Sequence, residues 1–458
     1  MKSIVLTIAG LCLALLLNAT HNRGGEIIFQ QTSPLAVLAE AHIYHKAVNL
    51  PADRDTLTLC WGDGTCNRVA RTNGPDADGD GVPDGEPIPG TDTKLSIYSW
   101  VHTYDAPGSY TISLTDPNRN GGVLNVNFPN SDQVRFHVQS QVTVTNDNTP
   151  NHSPIFYEPL VIDQAAASYT YRHTPNAFDP DGDSIAYRLI TPYQDVNLLV
   201  PNYDNSFYDI SIDPVTGVLQ FETLRSGEYV FAIEVSTYRD GALQDIVIRD
   251  MSVFCGGEAP APPLLSLSDL TQEREVLVGD TVTIEAAALS QPFGSPVQLT
   301  CTGGLFEYFG TPATFDAPGA AVQPSGTFQW VVEPEDQREA PYQIVFKARD
   351  DSSPIGLSSL IPIRFRVVDQ LTSTAPVPKR EALKLFPNPV ATSIQVEWPA
   401  GFQPTAFRIH NAAGQIVQSG APPAGQPRLG VQSLPRGWYV FALTDATGKV
   451  LQQPFIKQ

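Results

Sequence analysis

Proline and glycine punctuate this chain too densely for long helices: 40 of one and 34 of the other stand among 458 residues. Proline removes a backbone donor and glycine adds backbone freedom, so the elements between them are short. No Gly-X-Y period accompanies them, which excludes a collagen-like rod. Val, Ile, Thr, Tyr and Phe fill the gaps, the residues that pack well on a pleated surface. Apolar residues make up 42% and charged residues 17%, enough for real cores and too few charges for a disordered polyelectrolyte or a coiled coil. At roughly 100–200 residues per domain, the length predicts three or four domains. The expectation is an all-β chain of tandem sandwiches.

The formal net charge is −20. So acidic a surface repels phosphate backbones, which excludes nucleic acid as a partner, and it attracts hard cations. Met1-Lys2 followed by the apolar run Ile4–Leu17 and the polar Asn18-Ala19-Thr20 reads as a secretory signal peptide over residues 1–20. That places the chain in an oxidising compartment, where the four cysteines beyond Cys12 favour disulfides over metal thiolates. In Asp55–Trp61 the apolar Leu57, Leu59 and Trp61 share one face, leaving Cys60 on the other. If Gly62-Asp63-Gly64 is a three-residue hairpin loop, Cys60 lies opposite Cys66 and the two form a bridge. A two-residue loop would put Cys60 opposite Asn67 instead.

Alternating runs separated by turn residues give the organisation. Residues 21–148 form a first sandwich, 149–257 a second and 258–370 a third, with 371–381 a linker and 382–458 a small terminal domain. The polar, Pro-bearing segments Asn146–Pro154 and Gly256–Pro263 mark the joints. From Ala382 onward six Lys and Arg face only Glu397 and Asp445, a surplus of four positive charges that leaves the rest of the chain at −24. A basic tail on an acidic body points to a module with a separate job.

Trp61-Gly62-Asp63-Gly64-Thr65, His102-Thr103-Tyr104 and Pro107-Gly108-Ser109-Tyr110 resemble the PKD-type β-sandwich. Phe178-Asp179-Pro180-Asp181-Gly182-Asp183, followed by Ile212-Asp213-Pro214-Val215-Thr216-Gly217, resembles cadherin-like domains. Together, residues 21–255 resemble surface proteins of Bacteroidota that carry gliding-motility-associated or type IX secretion tails, which implies Ig-like sandwiches. As that family is understood, a cysteine near the start of the second block often pairs with one at its end. Gln164-Ala165-Ala166-Ala167 has none, which leaves Cys255 to pair with Cys301 or to stay free.

Leu385-Phe386-Pro387-Asn388-Pro389-Val390, Gly414, Leu434-Pro435-Arg436-Gly437-Trp438-Tyr439 and Gly448-Lys449 resemble the type A sorting domain of type IX secretion. That resemblance implies a β-sandwich read by the outer-membrane translocon and cut off by a surface sortase. It also implies a mature protein secreted, or attached to the outer cell surface, after passage through the periplasm.

Asp76, Asp78, Asp80 and Asp84 occupy positions 1, 3, 5 and 9 of a loop whose sixth residue is Gly81, a spacing that offers calcium a ring of hard oxygens. Pro87 stands where an EF-hand needs a bidentate Glu, so the loop resembles the short calcium repeats of thrombospondin type 3. The other reading is an acidic, solvated insertion. Asp179, Asp181 and Asp183 are a second candidate, or simply good turn chemistry. His42 and His45 point to opposite faces of a strand, and Gly182-Asp183-Ser184 lacks a nucleophile elbow. Three functions compete. The first is a non-catalytic surface or secreted protein binding a glycan or protein ligand. The others are a structural envelope spacer and a calcium-dependent hydrolase.

Overall fold

The computed structural model describes residues 22–458 apart from 48–53, 90, 148, 150, 161–163, 168, 207, 223–224, 258–260, 292–293, 309, 351–355, 369–382, 399–400, 412–415, 423–427 and 446–449. The expected signal peptide and the linker 371–381 therefore lie outside the described residues. The expected all-β class holds: strands dominate, with 3-10 turns such as Ser131–Gln133 between them. Among the described residues no helix is long and apolar enough to cross a membrane. Two compact units divide the chain, Met1–Val367 and Val368–Gln458.

The first sandwich begins with β1 (Asn22–Ser33) and β2 (Ala36–Lys46), followed by β3 (Thr56–Cys60), β4 (Cys66–Ala70), β5 (Glu86–Pro87) and β6 (Thr93–Thr103). β7 (Gly108–Asp116) and β8 (Phe136–Val144) complete it. Alternation places Ile27, Val37, Leu59, Trp61, Tyr98, Ile112 and Val138 in one core. β3 and β4 pair in the register that sets Cys60 opposite Cys66. The Trp61 amide donates to the Thr65 carbonyl at 3.0 Å, which closes the three-residue loop 62–64. Gly62 at φ +79° is needed there, because a Cβ would sit 2.6 Å from the Thr111 nitrogen.

The joint expected at 148/149 is not a break in the sheet. The strand Ala242–Gly256 runs along Gly227–Arg239 on one edge, from Arg239↔Ala242 to Gly227↔Cys255. Its other edge meets β8 at Ile246 and Val247, and β1 at Asp250 and Met251. It then meets Gln164–Ala166 in parallel. One 12-stranded sheet therefore serves both blocks. Val247 belongs to the first core, whereas Met251, Val253 and Cys255 belong to the second with Tyr171, Phe221 and Phe231. The run Ile246-Val247-Ile248 does not alternate because the strand is covered on both faces. Buried ion pairs reinforce the seam, Arg249 with Glu26 and Arg119 with Asp250.

The third block is a sandwich of two four-stranded sheets around Ile284, Phe328, Trp330, Phe346 and Phe365. Phe178 of the second block is inserted in that core, beneath Arg338 and beside Tyr308. Lys347 pairs with Glu158 at 2.8 Å, and Asn176 donates to Thr302, so the 257/258 joint is also crossed by buried polar contacts.

The second unit packs a three-stranded sheet and a four-stranded sheet around Ile394, Phe407, Ile409, Phe441 and Phe455. This is the small terminal sandwich the sequence predicts.

Candidate functional site

The acidic loop hangs from a buried cation. Arg71 donates to the Pro83 carbonyl, and its guanidinium lies 3.2 Å from Asp55 and 3.7 Å from Asp84. Gly74 and Gly85 close the base: a Cβ on Gly74 would fall 2.1 Å from the Gly85 oxygen. Within the loop the carboxylates accept the loop's own amides. Asp76 takes Gly79 N–H at 2.8 Å and Gly81 N–H at 3.0 Å, and Asp84 takes Ala77 N–H at 2.7 Å. This folding brings oxygens of Asp76, Asp78 and Asp84 within 4.8 Å of one another. Asp80 does not join them. Its carboxylate turns to the Val82 amide, 2.8 Å away. Three of the four expected ligands therefore converge, an arrangement suited to a hard divalent cation.

The second acidic motif is built differently. Arg239 clamps Asp183 through two nitrogens at 2.7 and 3.0 Å. Asp181 accepts the His152 amide at 2.7 Å and lies 2.8 Å from its Nδ1, a contact that raises the His152 pKa. Asp179 Oδ1 takes the amides of Asp181 and Asp183, while its Oδ2 is buried without a partner. Arg239 and His152 thus take up two of the three carboxylates. Ser184 Oγ donates to the Tyr238 carbonyl at 3.2 Å.

The Cys60–Cys66 disulfide is present, with Cα atoms 4.0 Å apart. Cys255 and Cys301 are free thiols, so the expected alternative of a bridge between them is corrected. They belong to different cores: Cys255 lies among Tyr171 and Phe231, and Cys301 lies against the third block's core. Burial pushes the Cys255 thiol up to about 11 and that of Cys301 well above its usual value. His42 approaches Glu40 and Glu26, whereas buried His45 reaches Ser96, so the two share no site.

Sequence reasoning missed Asn151, His152, Arg239 and Asp245, which the fold gathers around the second motif. Asp245 donated one signal: an acid immediately before a continuous apolar run. It is fully buried, accepts the Thr143 amide at 2.8 Å and is pushed up to about 7 by desolvation.

In the terminal unit Pro387, Asn388 and Pro389 are exposed. Asn388 accepts the Ile456 amide at 2.8 Å, and Val390 donates to the Ile456 carbonyl at 2.7 Å, tying the motif to the last strand. Buried Tyr439 stacks on Phe455 and donates to the Pro435 carbonyl at 2.9 Å. Gly437 opens the strand Gly437–Asp445, whereas Gly414, Gly448 and Lys449 lie outside the described residues.

Residues 384–458 match the family described as "Secretion system C-terminal sorting domain". A tail of this type IX kind marks an exported protein, destined for the outer surface or the medium. No curated protein matches the chain. Among solved structures it is similar to domains A168–A170 of titin, at 14% identity and a TM-score of 0.17, over 67% of this chain and 99% of that one. It is similar to the N-terminal four Ig domains of Dscam1 isoform 6.44, at 13% identity and 0.18, over 95% and 99%. It is also similar to SGBP-B of the Bacteroides ovatus mixed-linkage glucan utilization locus, solved with a mixed-linkage heptasaccharide, at 13% identity and 0.14, over 67% and 71%.

Proposed function

We propose that this chain is a non-catalytic binding protein of tandem sandwiches, delivered by the type IX translocon and released or anchored when a surface sortase removes its tail. The observation that carries this reading is the match of residues 384–458 to a sorting domain, within a compact unit of its own. The body offers an extracellular glycan or protein ligand an acidic surface, and the loop at Asp76, Asp78 and Asp84 takes calcium, which orders it. Deleting residues 384–458 should trap the protein inside the cell. Intact mass of surface material should show chains ending between residues 371 and 384. Surface chains that still end at Gln458 would remove the sortase step, and export without the tail would remove the route. Glycan-array and whole-cell adhesion assays on the body identify the ligand class.

The seams favour one further reading, a structural spacer of the envelope. A sheet shared across one joint and an inserted Phe178 at the next tie the three blocks of the first unit together. Loss of envelope integrity without loss of adhesion on deleting the gene would select the spacer.

A further inference from the structure

The segment between β7 and β8, residues 117–135, leaves the first block and lies on the second. Val126 bridges Tyr203 in antiparallel fashion. On either side of that bridge the Asp204 amide donates to the Asn125 carbonyl at 3.0 Å, and the Asn127 amide to the Asn202 carbonyl at 3.4 Å. Val123, Val126, Val134, Val200 and Val230 form a small buried core between the two blocks. Asn125, 1% exposed, donates to the Val230 carbonyl and to Tyr208 Oη, both at 2.8 Å, and accepts the Val230 amide at 2.9 Å. The two blocks thus build one platform that neither carries alone.

On this platform Phe128 is 52% exposed, and the Arg225 guanidinium lies over its ring, 5.4 Å from the centroid. Amides surround it. Asn202 Nδ2 donates to Asn127 Oδ1 at 3.0 Å, and Asn127 Nδ2 donates to the Asn130 carbonyl at 3.2 Å. Asn205 Oδ1 accepts the Tyr208 hydroxyl. Asn130, Asn202 and Asn205 are exposed, which leaves their remaining amide atoms to solvent. Of the local carboxylates, Asp204 takes the Ser206 amide at 2.8 Å. An exposed ring costs free energy in water and stacks on apolar C–H faces, while amides donate and accept at once. A ligand that satisfies both has flat apolar faces edged with hydroxyls. Extended peptides dock by adding a strand to a sheet edge or by laying apolar side chains in a groove. A half-exposed ring among amides suits a sugar better, and the acidic surplus of the body disfavours an anionic one.

We propose that this platform is a binding site for an uncharged glycan, with Phe128 stacking on a sugar face and Arg225, Asn130, Asn202 and Asn205 bonding its hydroxyls. The proposal rests on the ligand-binding reading above and gives it a surface and a ligand class. It is separate from the acidic loop at Asp76–Asp84. The site exists only where the first two blocks are docked, since Phe128 and Asn130 come from one and Asn202, Asn205 and Arg225 from the other.

The test titrates the full exported chain with uncharged oligosaccharides of glucose, galactose and mannose by calorimetry, beside anionic oligosaccharides and a whole-cell adhesion assay. At least one uncharged oligosaccharide should bind the parent chain. Phe128→Ala should weaken that binding by more than about tenfold, and Phe128→Trp should keep or strengthen it, both at an unchanged melting temperature. Asn202→Gly tolerates the left-handed φ of +50° at this position and removes the amide, so it should weaken binding without loss of fold. If Phe128→Ala lowers the melting temperature, Asn202→Gly decides. The proposal falls if no uncharged oligosaccharide binds, or if one binds and both variants leave its affinity unchanged. A parent chain that still adheres to cells in either case keeps the binding reading and moves its surface elsewhere. A chain that binds no sugar and adheres to no cells removes both.

Discussion

His137 sits on β8 with Thr115 at 2.8 Å from its Nδ1 and Gln139 at 3.0 Å from its Nε2. Burial lowers its pKa below the usual 6.5, against the opposing pull of the Gln139 hydrogen bond and Asp195. The unfolded chain therefore binds a proton at His137 before the folded chain does. Stability from this residue is complete above 6.5 and declines as the pH falls below it. His137→Gln keeps a polar side chain and removes that proton, so the loss of stability between about pH 7.5 and about pH 5.5 should shrink in urea titrations. Cys60 and Cys66 make a simpler case. Replacing both by Ser should cost about 2 kcal/mol, read from denaturant midpoints, because the bridge closes a short loop. Peptide mapping without reductant should recover the two cysteines as one linked fragment. This pair was legible in advance because alternation, loop length and register all act within a dozen residues. Asp245 was not legible: its partners come from residues 143, 151 and 237, and no local pattern points to them.

At the scale of elements, the loop between β4 and β5 separates spacing from geometry. The sequence offers four carboxylates at positions 1, 3, 5 and 9, yet backbone turns decide which of them converge, and Asp80 is spent on the Val82 amide. Asp78→Ala should therefore abolish calcium protection of this loop against proteolysis, while Asp80→Ala should preserve most of it. Equal cleavage with calcium and with chelator in the parent chain would mark the loop as a solvated insertion. Strands and turns were readable from their period and breakers; which strands pair was not. The run at Ile246-Val247-Ile248 announces burial on both faces, but nothing in it names β8 and β1 as the neighbours. Tertiary partners chosen from a hundred residues away leave no mark on local periodicity.

Across the whole molecule, the first unit should behave as one cooperative body and the terminal unit as another. Calorimetry of the full chain is expected to show two transitions, not four. Phe178→Ala empties the centre of the joint between the second and third blocks and should cost about 3–5 kcal/mol. It should also split the larger transition in two, because the third block then loses its inserted anchor. The basic tail was visible in composition and motif alike, since a sorting signal must be read locally by its receptor. The pairing across the first joint was invisible, since the polar segment Asn146–Pro154 reads as a linker although Asn151 and Ser153 hydrogen-bond along β1.

The strand Ala242–Gly256 is the last of its 12-stranded sheet in chain order, and it fills a central place. The Arg249–Glu26 pair it supplies joins residues 223 apart. A chain that emerges amino terminus first presents β1 and β8 with raw, unpaired edges until its two hundred and fifties have arrived. Folding then waits on synthesis: no smaller amino-terminal fragment has a finished sheet to settle into, and long-range closure is slow. The cell that makes this protein must keep more than half of it from sticking to its neighbours before the first strand finds its place.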